Sequence, residues 1–404
     1  MSMVRSLRSV KNIFGKKVLV RVDTNVPIKD GRILDDTRIR AIIPTLQFLI
    51  KKKAKIIIIA HLGRPEGVVV PNLTLDPIAV RLGQLLKRHI EKIPSEDWKK
   101  SSGIFKMVQT MIEVMKPGQL VMLDNIRFSP DETNNKGNLA KQLASLADFF
   151  VQDGFSVCHR ADASVLGIAK LLPSYAGLLL VNELQGLDKI FHASPQRFLV
   201  ILGGAKMETK LPVLKKFLKI SGNIVVGGGI ANTILAARGY DVGASLVDKN
   251  LFATAKRLAR NKKIVMPHDV VVGNKEGTSW RIVTVDSKPH GLCEKDEAIL
   301  DIGPATITLV RNYIDKAKTL VWNGALGYFE QQPYDEGTFA VARAIAQRQQ
   351  KGIFSVVGGG ETVEVIQELN LSKKFGLVST GGGAMLEFLA GNKLPGIKVL
   401  EHKR

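Results

Sequence analysis

Short, uninterrupted apolar runs, each closed by a glycine-rich turn, recur through the second half of the chain. Runs of this length predict strands buried on both faces of a parallel sheet, because an alternating pattern would leave one face in water. Ligands of open α/β sheets bind outside the carboxyl ends of the strands, where glycines let backbone amides approach phosphate. These turns therefore predict an anion site of nucleotide size. The runs and their turns are 198–202 with 203–206, 224–226 with 227–229, 354–357 with 358–360, and 375–378 with 381–383.

The first half repeats this strand-and-turn pattern, but its turns carry charged and polar side chains. Its predicted strands are 18–22, 55–60, 120–123 and 148–152. Helical spacing of apolar residues at 37–52 and 75–90 indicates βαβ units and a parallel sheet. Arginines and a histidine suit a small, multiply charged anion, whereas glycine turns suit a polyphosphate held by backbone amides. The sequence therefore predicts two anionic substrates, one for each half.

The length of the chain bears on its domain organisation. A chain of 404 residues exceeds the size at which a single core keeps growing, which predicts two domains. We expect an α/β protein of two Rossmann-like lobes, each a parallel β-sheet flanked by helices, joined by a helical hinge. The first lobe is predicted to span 1–173, the connecting helix 174–192 and the second lobe 193–387.

Composition narrows the setting of the protein. Its apolar runs stay far below the ~20 residues that span a bilayer, and its first residues lack the apolar region of a secretory signal. Cys158 and Cys293 lack metal-binding spacing, so we expect a cytoplasmic protein without disulfides and without a membrane partner. The net charge of +21 would draw small anions toward a cleft. Nucleic-acid binding stays open as a further hypothesis, but the basic residues are dispersed and no specific nucleic-acid partner is expected.

Several residues at the predicted strand ends allow both a functional and a structural interpretation. His61, with Arg64 nearby in the same turn, is either a structural histidine or part of an anion site. Lys206 follows the first glycine turn, where a lysine can reach a phosphoryl group as a point charge, and Lys210 would share its helix face. The turn is not a Walker A loop. Glu361, after the third glycine turn, is either part of a helix cap or a contact to a Mg²⁺-nucleotide.

The motifs at these strand ends, in this order and spacing, resemble those of the phosphoglycerate kinases over nearly the whole chain. The resemblance implies an enzyme of glycolysis and gluconeogenesis with two lobes. It would move a phosphoryl group reversibly between 1,3-bisphosphoglycerate with Mg-ADP and 3-phosphoglycerate with Mg-ATP, in line and on closure of the lobes. The segments that carry the resemblance are 21–27, 36–40, 61–65, 125–128, 153–155 and 159–161 in the first half, and 203–206, 301–304, 321–324, 358–362 and 379–384 in the second.

The resemblance also implies the site residues. Phosphoglycerate would be held by Asp23, Asn25, Arg38, His61, Arg64, Arg127 and Arg160. The nucleotide would be held by Gly203, Lys206, Lys210, Gly227, Gly228, Asn323, Glu330, Gly359, Gly360, Glu361 and Thr362, with Mg²⁺ on Glu361. We expect the catalytic groups to be Arg38, Lys206, Gly360 and Gly383, in a monomer whose tail, 388–404, packs on the first lobe.

Some positions depart from the usual residues of this family, and none removes a principal charge of the reaction centre. The nucleophile for ATP would be a carboxylate, which is already ionised near neutral pH, so no catalytic base is required. Another small-molecule phosphotransferase or nucleotide-binding α/β enzyme is the alternative hypothesis, although the first-half motifs argue against it. The departures are Thr24 for Phe, Thr209 for Asp, Ala325 for Pro, Tyr328 for a smaller apolar residue and Glu361 for Asp.

Overall fold

A computed structural model describes residues 4–95, 102–286 and 289–401 of the chain. Its strands are β1 (Lys17–Arg21), β2 (Ile28–Lys29), β3 (Arg32–Ile33), β4 (Lys55–Ile59), β5 (Glu91–Ile93), β6 (Leu120–Leu123), β7 (Phe149–Gln152), β8 (Ser174–Ala176), β9 (Phe198–Leu202), β10 (Asn223–Val226), β11 (Ile264–Val265), β12 (Asp269–Gly273), β13 (Trp280–Thr284), β14 (Ala298–Ile302), β15 (Thr319–Asn323), β16 (Phe354–Gly358) and β17 (Leu377–Val378).

Its helices are α1 (Thr37–Ala41), α2 (Ile43–Lys51), α3 (Asp76–Leu86), α4 (Ser102–Glu113), α5 (Asp131–Asn134), α6 (Leu139–Ser145), α7 (Ile168–Leu171), α8 (Leu178–Phe191), α9 (Met207–Ile220), α10 (Gly228–Arg238), α11 (Phe252–Ala259), α12 (Pro304–Lys316), α13 (Glu336–Gln349), α14 (Gly360–Glu368), α15 (Gly383–Leu389) and α16 (Pro395–Lys398). No helix in the described ranges has the length and hydrophobicity needed to cross a membrane.

The chain forms two compact units, Met1–Gln185 together with Lys393–Arg404, and Gly186–Asn392. In the first unit a parallel sheet has the strand order β5-β6-β4-β1-β7-β8. Ile56 and Ile58 of β4 enter one core layer, whereas Ile57 and Ile59 enter the layer on the opposite face. The uninterrupted apolar pattern of this strand follows because helices cover both faces of the sheet.

The second unit contains a parallel sheet of order β11-β10-β9-β15-β16-β17. The predicted strand 375–378 was too long, because only Leu377–Val378 pairs with β16. A separate antiparallel sheet, β13-β12-β14, was not predicted. Strand β13 is almost entirely exposed, although Trp280, Ile282 and Val283 are residues that favour strands.

Two helix predictions were wrong in their bounds. The predicted helix 37–52 divides into α1 and α2 because Pro44 lacks an N–H and its ring clashes with the carbonyl of the preceding turn. The predicted connecting helix 174–192 begins as strand β8, which pairs with β7, and becomes α8 only after Gly177. A Cβ on Gly177 would lie 2.1 Å from the Asp153 carboxylate, which explains the glycine between strand and helix.

The end of the chain returns to the first unit. The first unit includes the tail from Lys393, and the division between the units falls inside α8. Arg5 N donates to Leu400 O at 2.9 Å, and Gly396 N donates to Cys158 O at 2.9 Å. Leu389, at the end of α15, belongs instead to the second unit. The functional lobe boundaries given above stay a prediction.

Candidate active site

The carboxyl ends of β6, β4, β1 and β7 lie next to one another along one edge of the first sheet, because these strands are parallel neighbours. The turns that follow them form what we call the polar rim: residues 23–25, 61–64, 125–127 and 153–160. Asn25 Oδ1 accepts from Gly63 N at 2.9 Å, and Arg127 Nη1 donates to Gly63 O at 2.8 Å. Three turns that are far apart in sequence are therefore joined.

Asp23 is a buried carboxylate at the centre of the polar rim. It accepts from Arg38 Nη1, from the Ser156 hydroxyl and, at 3.0 Å, from Asn25 N. Burial alone would raise the pKa of Asp23, but the charge of Arg38 and the hydrogen bonds from Ser156 and Asn25 outweigh it and lower the pKa. Asp23 is therefore ionised near neutral pH, and it orients Arg38.

His61 is buried, and its Nδ1 lies 3.1 Å from Nη2 of Arg21. Burial and the charge of Arg21 lower the pKa of His61 well below its ordinary value, and the charges of Arg127 and Arg160 act in the same direction. The ring is therefore neutral at physiological pH. The sequence prediction of His61 at an anion site did not include Arg21, which lies inside β1 and reads as part of an apolar strand.

Arg127 is the residue of the polar rim whose surroundings point most clearly to a bound anion. Its side chain is buried, and its Nε and Nη2 have no hydrogen-bond partner among the described residues. Burial, with the charges of Arg160 and Arg21, lowers the pKa of Arg127 to about 10. A buried guanidinium with free donors is unfavourable unless an anion completes it. Of the other predicted residues, Arg160 is half-buried, whereas Arg64 is exposed on the turn after β4.

The strand ends of the second unit interlock through backbone hydrogen bonds. Gly203 N donates to Asn323 O at 3.0 Å, Gly204 N to Ala325 O at 2.7 Å, and Gly229 N to Gly204 O at 3.0 Å. A Cβ on Gly203 would lie 1.9 Å from the carbonyl oxygen of Ala325. Glycine is required there because the two turns pack backbone against backbone.

Other glycines of this edge have no packing reason to be glycine. A Cβ on Gly360 or Gly383 would have no protein atom within 4 Å among the described residues. Gly360 is the first residue of α14, whose N-terminal amides lack partners within the helix. Gly359 has φ of +101°, a backbone conformation that favours glycine. The space above Gly360 is therefore open to a ligand, beside N–H groups that suit an anion.

The two predicted lysines occupy different environments. Lys206 is exposed immediately before α9, whereas Lys210 is partly buried and donates to Asn323 Oδ1. Burial lowers the pKa of Lys210, although the charge of Glu361 acts in the opposite direction. Asn323 in turn donates to Gly358 O at 2.6 Å, which ties the ends of β15 and β16 together.

Glu361 and Thr362 bond to the neighbouring turn rather than capping their own helix. Thr362 Oγ1 accepts from Gly324 N at 2.7 Å, and Glu361 Oε2 accepts from Ala325 N at 3.3 Å. No group of three or more metal-binding side chains exists within the described ranges. Nevertheless, a single carboxylate is often the only ligand that a protein supplies to Mg²⁺ when substrate phosphates supply the others.

A cleft of about 270 Å³ lies beside these turns, within the second unit. Its walls combine backbone of the glycine turns with apolar side chains, and Glu330 lies on its lining. Burial raises the pKa of Glu330, and the charges of Glu361 and Glu364 add to the shift. Sequence reasoning missed the apolar walls because they come from elements distant in the chain: Leu246, Val270, Ile299, Leu326 and Phe329.

Comparisons with known proteins agree with this geometry. A family model described as phosphoglycerate kinase matches residues 7–392. The chain belongs to the phosphoglycerate kinase family. It is 42% identical over 400 residues to the phosphoglycerate kinase of Dictyoglomus turgidum (strain DSM 6724 / Z-1310), covering 97% of each protein.

Solved phosphoglycerate kinases share the fold. The enzyme from Coxiella burnetii matches with a TM-score of 0.83 and 35% identity, covering 98% of this chain and 99% of that one. The enzyme from Pyrococcus horikoshii OT3 matches with a TM-score of 0.84 and 32% identity, covering 98% of both chains. The predicted α/β fold with parallel sheets flanked by helices is confirmed, and so is the predicted activity, phosphoryl transfer between 1,3-bisphosphoglycerate with ADP and 3-phosphoglycerate with ATP.

The positions that depart from the usual phosphoglycerate kinase residues have identifiable surroundings. Ala325 donates its N–H to Glu361, a bond that proline at this position could not make. Thr209 Oγ1 donates to Lys206 O at 3.1 Å, within the first turn of α9. Thr24 is buried in the polar rim, and Tyr328 is exposed at the cleft. None of these four positions is one of the charged residues assigned to the site.

Proposed function

We propose that the polar rim of the first unit is the phosphoglycerate site of this kinase. The observation that carries the proposal is Arg127, whose buried Nε and Nη2 have no partner among the described residues. A phosphate or carboxylate would accept from both atoms and relieve the desolvation of the guanidinium. The remaining ligands in the proposal are Asp23, Asn25, Arg38, His61, Arg64 and Arg160.

We further propose that the cleft of the second unit holds ADP or ATP. The apolar walls suit a nucleobase, Glu330 suits a ribose hydroxyl, and the open N-terminus of α14 suits a phosphate. Glu361 would hold Mg²⁺ together with the phosphates, and the ion would neutralise phosphate charge. The other proposed nucleotide contacts are Gly203, Lys206, Lys210, Gly227, Gly228, Asn323, Gly359, Gly360 and Thr362.

The proposed catalytic work is positioning and charge stabilisation. The attacking carboxylate of 3-phosphoglycerate needs no base, since carboxyl groups titrate at about 3.5 to 4. Arg38 and Lys206 would neutralise the migrating phosphoryl group, with backbone N–H groups at Gly360 and Gly383. Asp23 supports this role for Arg38, because it fixes the guanidinium before substrate arrives. The meeting of these groups on one phosphoryl group, in line and on lobe closure, stays a prediction.

Further parts of the proposal concern the setting of the enzyme. We propose a monomer in the cytoplasm, where the substrates of glycolysis are found, without a membrane or specific nucleic-acid partner. Light scattering across protein concentrations tests the monomer. A salt-dependent gel shift tests nucleic-acid binding, and retention of a complex at physiological salt would contradict the proposal.

A coupled assay with 3-phosphoglycerate and Mg-ATP tests the proposed roles. Lys206→Ala should lower turnover roughly a hundredfold or more, because it removes a charge from the reacting group. Lys215→Ala is the matched control, since Lys215 is exposed on the same helix α9. Turnover of Lys206→Ala within a few-fold of the control would overturn the role of Lys206. Failure of the parent to bind phosphoglycerate would overturn the site assignment.

A further inference from the structure

Arg21 is a fully buried arginine that points from β1 into the polar rim. Its guanidinium donates in three directions: from Nη2 to His61 Nδ1 at 3.1 Å, from Nε to Ser164 Oγ at 2.9 Å, and from Nη1 to Val22 O. Arg21 lies behind the proposed ligands, and each of its three nitrogens already donates a hydrogen bond to a protein atom.

The contact between Arg21 and His61 fixes the chemical form of the imidazole. A guanidinium has only donors, so the lone pair must belong to His61 Nδ1. An Nδ1 that accepts carries no hydrogen, and the ring is then neutral with its hydrogen on Nε2. His61 therefore has one remaining polar group, the Nε2–H donor.

Arg21 is itself fixed by a buried chain of hydrogen bonds. The Ser164 hydroxyl donates to Glu132 Oε1 at 2.5 Å, which leaves its oxygen lone pairs to accept from Arg21 Nε. Ser164 N donates to the second oxygen of Glu132, Oε2, at 2.9 Å. Burial raises the pKa of Glu132, although the charge of Arg21 acts against the shift. These hydrogen bonds therefore determine which atom donates and which accepts at each contact from Glu132 to His61.

Most of the charges around His61 favour its neutral form. Arg21 of β1, Arg127 after β6 and Arg160 after β7 oppose protonation, and Asp23 after β1 favours it. Together with burial, the three guanidinium groups outweigh the carboxylate, so the pKa of His61 lies well below its ordinary value. The hydrogen-bond geometry and the charges therefore lead to the same form of the ring.

We propose that Arg21, itself held in place by Ser164 and Glu132, is a positioning residue that keeps His61 as a neutral Nε2–H donor for the bound anion. This inference rests on the proposed phosphoglycerate site. Its consequence is that the contact from His61 to substrate stays constant between about pH 5.5 and about pH 8, where an ordinary histidine would change charge.

The form of His61 can be measured directly in the unmodified enzyme. With ¹⁵N-labelled histidine, two-dimensional ¹H–¹⁵N spectra distinguish imidazolium and the two neutral tautomers, and loss of one signal set in His61→Gln assigns this ring among the seven histidines. We expect the neutral Nε2–H tautomer from about pH 5.5 to about pH 8. An Nδ1–H tautomer, or imidazolium near pH 6.5, would overturn the proposal without any variant of Arg21.

Kinetic variants test whether Arg21 is responsible. Arg21→Met should raise the pKa of His61, because a nearby positive charge is lost, and KM for 3-phosphoglycerate should gain a pH dependence near about pH 6.5. That dependence should vanish in Arg21→Met combined with His61→Gln, where the ring is replaced by a neutral amide. A pH profile of KM unchanged from the parent would contradict the positioning role.

A milder variant covers the case in which Arg21→Met does not fold. Ser164→Ala removes the acceptor for Arg21 Nε and should raise KM for 3-phosphoglycerate roughly tenfold, with turnover at saturation nearly unchanged. Ser145→Ala is the control, since that serine is exposed. A KM for 3-phosphoglycerate equal to that of Ser145→Ala would contradict the role of the hydrogen bonds that link Glu132, Ser164 and Arg21. If His61 shows the expected tautomer but phosphoglycerate does not bind, the proposed function fails rather than the arrangement of Arg21.

Discussion

The strand ends of the two units satisfy their polar groups in opposite ways. In the first unit, charged side chains are buried, and the pKa of Arg127 is lowered to about 10 by burial and by neighbouring guanidinium groups. In the second unit, turns such as those at Gly203 and Gly229 satisfy one another through backbone bonds, and Lys206 lies exposed. Buried cations oppose folding until a ligand arrives, whereas interlocked turns support it. The two sites should therefore respond differently to mutation.

The largest effect should come from Arg38, which we propose contacts the migrating phosphoryl group. Arg38→Ala should lower turnover roughly a hundredfold or more, because it removes the charge proposed to stabilise the phosphoryl group. Arg40→Ala is the matched control on the same helix, since Arg40 pairs with Asp36 at the surface. Steady-state turnover at saturating substrates checks both variants. Equal losses in the two would remove Arg38 from catalysis.

In the first unit, substitution of Arg127 should weaken substrate binding without lowering stability. Arg127→Met should raise KM for 3-phosphoglycerate roughly tenfold to a hundredfold, because charge-assisted hydrogen bonds to the ligand are lost. The melting temperature of the ligand-free variant should equal or exceed that of the parent, since a buried and partly unpartnered charge has been removed. A large drop in melting temperature would mean that Arg127 serves the fold.

In the second unit, two glycines should have different effects: substitution of one should lower stability, and substitution of the other should weaken nucleotide binding or turnover. Gly203→Ala should lower the free energy of unfolding by about 1–3 kcal/mol, because its Cβ would meet the Ala325 carbonyl at 1.9 Å. Gly383→Ala, where no described atom lies within 4 Å, should keep its stability and lose nucleotide affinity or turnover. Denaturant unfolding and the coupled assay together check the pair. Similar unfolding curves for the two variants would contradict the distinction.

The smallest effect concerns a buried carboxylate of the first unit, Asp153, which has no compensating cation among the described residues. Burial raises the pKa of Asp153 to about 7, and hydrogen bonds from Leu179 N and Leu180 N only partly oppose this. The folded state then holds the proton more tightly than an unfolded aspartate, whose pKa is about 3.9. The resulting stabilisation is complete below about pH 4 and is lost as the pH rises through about 7.

Asp153→Asn should remove this dependence, because the amide oxygen still accepts from both N–H groups and cannot ionise. The variant should gain stability relative to the parent as pH rises from about 4 to about 7, by at most about 1.4 kcal/mol per pH unit. Unfolding free energies of both proteins across that range check the slope. A constant difference would show that Asp153 does not titrate there.

Much of the fold and part of the site could be predicted from local pattern. The strands at 198–202 and 120–123 were predicted at their observed bounds, because both faces of each are buried and their apolar runs are uninterrupted. The break at Pro44 was missed although proline carries the signal, since the apolar spacing continues across it. Strand β13 was missed although Trp280, Ile282 and Val283 favour strands, because it lacks the uninterrupted apolar run of a buried strand.

By itself, the sequence determined the α/β architecture, the family and the two kinds of strand end, because apolar runs, glycine turns and charged turns are properties of neighbouring residues. Only the tertiary structure decided which buried groups meet: Arg21 with His61, Ser164 with Glu132, and Ala325 with Glu361. These contacts join residues between 32 and 40 positions apart along the chain. The protonation of a buried ring and the direction of a guanidinium depend on such neighbours, and local sequence does not contain them.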